Sequence, residues 1–289
     1  MADFRRMIAN ELREKRPNIS DSSEKTYAST LFSLNKKMGG DKDLDFFKQH
    51  KEILKFVKEN MSNKQTQKTL LSALLIITGL SEYREDMLAF AKEVNDTYKT
   101  QKITDKQRAH RISFDDVKGK VEKLLVGLKQ HKTMQGFEQF LAGAFSSGVY
   151  APPRRSEFAN VRINNYDRRV DNYLAKNKIV FNAYKTSKRY GQQVYDIPFE
   201  VAPILKQYLK LNKTDFLFPK REGETCLSNV DYIRLLQKVF EKSISVDELR
   251  SIYLSEKYKN VPSMEDREKT ATAMGPSITT GLTDYVKKE

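Results

Sequence analysis

Cysteine is almost absent. The one residue, Cys226, excludes an intrachain disulfide and a thiolate metal cluster, and such sparse cysteine use points to an intracellular protein, in the cytoplasm or nucleus of a host cell. Histidine is nearly as scarce. His50, His110 and His131 lie far apart, and none forms a ligand pair at helical spacing. The carboxylates follow no recognised metal-binding loop, so chemistry without a metal or other cofactor is favoured. Long apolar runs are missing as well: the longest, residues 70–80, is too short for a bilayer and is interrupted by Ser72 and Thr78. No apolar leader segment opens the sequence, and nothing in it directs the chain across a membrane. Acidic residues are in deficit, with 38 Asp and Glu against 52 Lys and Arg, for a formal net charge of +14.

The basic excess is spread along the chain. Residues 1–110 carry 21 Lys and Arg against 16 Asp and Glu, and residues 111–289 carry 31 against 22. A polyanion suits both halves, because each phosphate neutralised releases counterions and adds affinity that salt weakens. With 289 residues the chain is long enough for two domains, each with its own core.

The first hundred residues read as helices. Ser22 opens a stretch in which Tyr27, Leu31, Leu34 and Met38 recur at helical spacing before Gly39-Gly40 ends it. Residues 45–59 put Phe46, Phe47, Ile53, Leu54, Phe56 and Val57 on one broad face, residues 66–80 form a strongly apolar helix, and residues 81–98 another amphipathic one. The polar segment 99–111, with Lys99, Lys102, Lys106, Arg108 and Arg111, breaks the pattern and reads as a basic linker. From Ile112 the pattern is mixed. Ser113-Phe-Asp-Asp116 caps a helix, and residues 136–145 form a second apolar one. Pro152-Pro153 can then open a helix with Arg154 in its first turn, near free backbone N–H groups. Residues 178–184 and 192–197 read as a β-hairpin whose turn holds Lys185, Lys188 and Arg189. Ser245-Val-Asp-Glu248 is a capping box that fixes a helix start and mounts Arg250 in the second turn.

Arg154, Lys185, Arg250 and Tyr285 stand in that order in surroundings that resemble the catalytic boxes of the tyrosine recombinases, also called phage-type integrases. The first box reads Gly148-Val-Tyr-Ala-Pro-Pro-Arg154-Arg-Ser-Glu157 and is similar to the family's arginine followed three residues later by glutamate. That spacing selects Arg154 over Arg155. The second, Leu249-Arg250, is similar to the family's leucine-arginine box. In the last, Tyr285 follows Pro276 by nine residues.

The resemblance implies a mostly α chain with a small β-sheet or hairpin (α+β). It divides into a helical core-binding domain over 1–98 that clamps DNA, the linker 99–111, and a mixed catalytic domain over 112–289. It further implies site-specific cleavage and rejoining of double-stranded DNA through a 3′-phosphotyrosyl intermediate on Tyr285, by a homotetramer on synapsed sites. Arg154 and Arg250 then neutralise the phosphate and Lys185, or its rival Lys188, protonates the leaving oxygen. Lys99, Lys102, Lys106, Arg108, Arg111, Lys188 and Arg189 are the candidate DNA contacts. No metal, small-molecule substrate or membrane is implied. Two positions depart from the family. Asp247 stands where histidine or lysine is usual and Pro276 where histidine or tryptophan is, so either the lineage uses a different outer shell or catalysis is weakened. Pro152-Pro153 before Arg154 and the nonstandard second box look more like recombinases of large DNA viruses and their satellites than bacterial ones. A type IB topoisomerase and a DNA-binding relative without activity are the other readings.

Overall fold

The computed structural model describes residues 2–99, 103–154, 156–260, 264–275, 277, 280 and 286. Among them the chain is mostly helical, with one small antiparallel sheet, the α+β class expected from the sequence. It divides into two compact units, residues 1–100 and 101–289.

The first unit is built from α1 (Ala2–Lys15), α2 (Asp21–Met38), α3 (His50–Asn60), α4 (Lys64–Thr78) and α5 (Ser81–Lys99). Its centre is α4, whose Leu70, Leu71, Ala73, Leu74 and Ile77 are all buried against residues such as Ile8, Leu12, Leu31 and Phe47. A helix apolar on most of its surface has to be surrounded, and α1, α2 and α5 supply most of that cover. Side chains fix the ends. Ser20 caps α2, one residue before its first turn, and Asn63 caps α4. Gly39 and Gly79 close the same helices in the left-handed region, where glycine meets no Cβ penalty. The single helix expected over 45–59 is instead a 3₁₀ turn, Leu44–Lys48, followed by α3. The Tyr83 hydroxyl, buried under that turn, donates to the Phe47 carbonyl at 2.8 Å and occupies a group the helix would have used.

The second unit begins with α6 (Asp105–His110), so the basic segment holds a helix rather than plain linker. Thr104 and Gln107 form a capping box across its start. Next come α7 (Phe114–Gln130) and α8 (Met134–Ser146), then strands β1 (Tyr173–Ala175) and β2 (Lys178–Phe181), the one-turn α9 (Ser187–Tyr190) and β3 (Gln193–Asp196). The chain continues as α10 (Ala202–Leu211), α11 (Asn229–Phe240), α12 (Val246–Lys257) and α13 (Met264–Met274). Apolar α8 forms the middle of this core, as α4 does in the first unit. The sheet runs in the order β1-β2-β3, with Tyr173 opposite Val180 and Val180 opposite Val194. Phe145, Phe158, Phe181 and Tyr195 join α8 to the sheet, with ring centroids 4.9 to 5.9 Å apart in the closest pairs. Such offset and edge-on contacts make a stiff floor.

Candidate active site

Arg154 stands on that floor. It does not open an α-helix as the Pro-Pro pair suggested. It lies in irregular chain two residues before a single 3₁₀ turn, Ser156–Asn160. Burial further along the chain is the cause. Phe158, Ala159 and Val161 are buried, and Arg162 then bridges to Tyr173 at the sheet, leaving room for one turn only. Arg154 is 3% exposed. Its guanidinium carbon lies 4.5 Å from the centre of the Phe181 ring and 5.6 Å from that of Tyr184, and its Nη1 donates to Gln193 Oε1 at 2.6 Å. Burial disfavours the charge and Glu157 restores part of it. Arg154 Nε and Glu157 Oε2 are both buried without a hydrogen-bond partner among the described residues. A cation with an unused donor, held against apolar rings, is prepared for an incoming anion.

Lys185 lies in the segment joining β2 to α9, and its side chain is exposed. The loop is closed behind it by the Tyr184 hydroxyl, which donates to the Gly191 carbonyl at 2.6 Å. The hairpin expected from the sequence therefore exists as β2 and β3, but a turn of helix rather than a tight turn connects them.

Arg250 sits in the second turn of α12, whose start carries the Ser245/Glu248 capping box that the sequence announces. It is 1% exposed, and its Nη2 donates to the Met274 carbonyl at 3.1 Å. That carbonyl ends α13, where Gly275 takes φ 84 and turns the chain away. A helix C-terminus attracts a cation, which explains the docking of Arg250 there. A Cβ built on Gly275 would meet Arg154 Nη2 at 4.0 Å, so the end of α13 lies beside both arginines. Asp247, three residues before Arg250, has its Oδ1 4.0 Å from Arg250 Nη1, with 61% of its side chain exposed.

Arg154, Lys185 and Arg250 thus line one cleft of about 220 Å³, together with Glu157, Tyr184, Arg189 and Gly275. Lys188 is exposed on α9 and does not line it. Arg108 and Arg111 lie along a separate, larger depression with Tyr258 and Val286. Lys99 is the last residue of α5, and Lys106 lies within α6. Lys102, Pro276 and Tyr285 lie outside the described residues. Val286 is buried against Leu254 and Met274.

No family model matches the chain, and neither does any curated protein. Among solved structures, the chain is similar to the crystal structure of XerA recombinase. That likeness covers 99% of this chain and 94% of the other at 14% identity, with a TM-score of 0.45.

Sequence reasoning missed Gln193, the Phe181 and Tyr184 rings around Arg154, and the Met274 carbonyl. It also missed the role of Gly148, the first residue of the Arg154 box. Gly148 takes φ 87, and a Cβ there would collide with the ring of Tyr253 on α12, so glycine lets the two arginine-bearing segments approach. Gly148→Ala is expected to cost about 2 to 4 kcal/mol of unfolding free energy, from left-handed strain plus overpacking. Urea unfolding measures it, and an unchanged midpoint would show that the approach is not tight.

Proposed function

We propose that this chain cleaves and rejoins DNA as a site-specific recombinase of the tyrosine kind. The observation that carries the reading is the cleft in which Arg154, Lys185 and Arg250, separated by almost a hundred residues, face a common space. A phosphodiester attacked by an oxygen nucleophile builds negative charge on its non-bridging oxygens. Two fixed guanidinium groups neutralise that charge with little reorganisation.

In the proposed reaction the Tyr285 phenol oxygen forms a bond to phosphorus as the bond to the 5′ oxygen breaks. The phenol proton goes to solvent, and Lys185 gives a proton to the departing oxygen, becoming a neutral amine. The 3′-phosphotyrosyl link keeps the energy of the broken strand, and attack by a new 5′ hydroxyl reverses the steps. Asp247 places a carboxylate near the incoming phosphate, which favours slow cleavage. Lys188, Arg189 and the basic segment 99–111 supply further phosphate contacts in this reading. A tetramer on two synapsed duplexes would convert cleavage into strand exchange.

The test is trapping. A duplex selected by the full chain from a randomised library is nicked so that the short cleaved strand diffuses away, then incubated with the protein in EDTA. A DNA-linked protein band on a denaturing gel is expected. Tight binding with no band would leave a DNA-binding relative as the better account.

A further inference from the structure

We infer that Asn172 is the positioning residue that holds the Lys185 loop in register with Arg154, an inference that rests on Lys185 being the general acid. Asn172 immediately precedes β1 and is 2% exposed, a polar side chain taken out of water. All four of its side-chain hydrogen-bonding positions are used. Nδ2 donates to Asn160 Oδ1 and to the Ala183 carbonyl, each at 2.9 Å, and Oδ1 accepts from the backbone N–H groups of Asn182 at 2.9 Å and Ala183 at 2.8 Å. Asn160 ends the 3₁₀ turn that follows Arg154, and Ala183 lies two residues before Lys185. One buried amide therefore clamps together the segments carrying the two catalytic candidates.

The clamp continues outward. The Asn182 side chain donates to the carbonyls of Arg168 and Asp171 and accepts from Gln192 Nε2 at 2.8 Å, so both ends of the 182–192 loop are tied to one frame. Gln193, the next residue, holds Arg154. Lys185 itself is exposed and lines the cleft. Its position depends on the residues at the loop base, and a misplacement of about 1 Å is enough to cost roughly 100-fold in rate. A saturated buried amide rigidifies the segments it links and fixes their mutual geometry.

The experiment compares single-turnover cleavage of two nicked duplexes of the selected sequence. One has the ordinary bridging 5′ oxygen. The other has sulfur there, and a thiolate leaves without needing a proton. Lys185→Ala and Asn172→Ala are each expected to be about 100-fold slower than wild type on oxygen and within about tenfold of it on sulfur. If Lys185→Ala recovers on sulfur and Asn172→Ala stays equally slow on both, Asn172 is only structural and the inference falls. If Lys185→Ala is equally slow on both, the assignment of Lys185 as acid falls first and the inference with it. Should Asn172→Ala fail to fold, judged by its circular dichroism melt, the exposed Asn160→Ala opens the same clamp from its other side. It is expected to show a defect of about tenfold on oxygen that disappears on sulfur, and wild-type rates on both substrates would overturn the inference.

Discussion

Tyr285→Phe is expected to abolish the covalent DNA adduct while leaving duplex affinity, and its steep fall with salt, unchanged. The substitution removes one oxygen and nothing else, so an interaction made of phosphate contacts persists and nucleophilic attack cannot occur. The loss exceeds any other on this chain because the phenols nearest to Tyr285 in sequence, Tyr258 and Tyr253, are committed elsewhere. Burial pushes Tyr253 up to about 12, and its ring is packed against Gly148. Tyr258 is held by its hydroxyl, which donates to the Arg267 carbonyl at 3.4 Å. Fluorescence anisotropy over a salt series and denaturing gels of the trapped complex measure the two halves of the expectation. An adduct surviving in Tyr285→Phe would move the nucleophile elsewhere.

Arg154→Met is expected to reduce cleavage by about 100- to 1000-fold, the range for removing a preorganised donor from a developing anion. It should also change folding stability by only about 1 kcal/mol, the lost Gln193 hydrogen bond and Glu157 attraction being set against relief of an incompletely compensated buried charge. The near-balance comes from the surroundings: a guanidinium buried against Phe181 and Tyr184, its Nε without a partner among the described residues, is incompletely compensated until a phosphate arrives. Methionine fills the space with no charge to desolvate. Arg250 differs, since its hydrogen bond to the Met274 carbonyl ties α12 to the end of α13. Arg250→Ala should therefore lower both cleavage and stability. Single-turnover rates and urea unfolding of the two variants separate the roles. A strongly destabilised Arg154→Met that still cleaved would make Arg154 structural.

Legibility in the sequence tracks the range of the forces involved. The Ser113/Asp116 and Ser245/Glu248 capping boxes and the glycine stops at Gly39 and Gly79 act within one turn, so their residues suffice to read them. Hence Arg250 could be mounted on its helix in advance. Arg154 could not, because Pro-Pro suits an extended segment as well as a helix start, and the choice was made by burial of Phe158 and Val161 further on. The Thr104/Gln107 box acts at the same short range, but the charges around it mask its signal. Lys185 and Lys188 were inseparable by spacing alone, and only the turn of α9 keeps Lys188 off the cleft lining. Gln193 and Asn172 carry no sequence signal at all. Each acts on a residue tens of positions or a strand away, through contacts that the register of β1, β2 and β3 creates.

The central claim is a phosphodiester transferred to one tyrosine, and the most direct test identifies the linked residue. The trapped wild-type complex is digested with nuclease and trypsin and its nucleotide-bearing peptide sequenced by mass spectrometry. The account expects a 3′-nucleotide on Tyr285 and on no other residue, whereas a nucleotide on a different side chain, or a 5′-linked one, would contradict it.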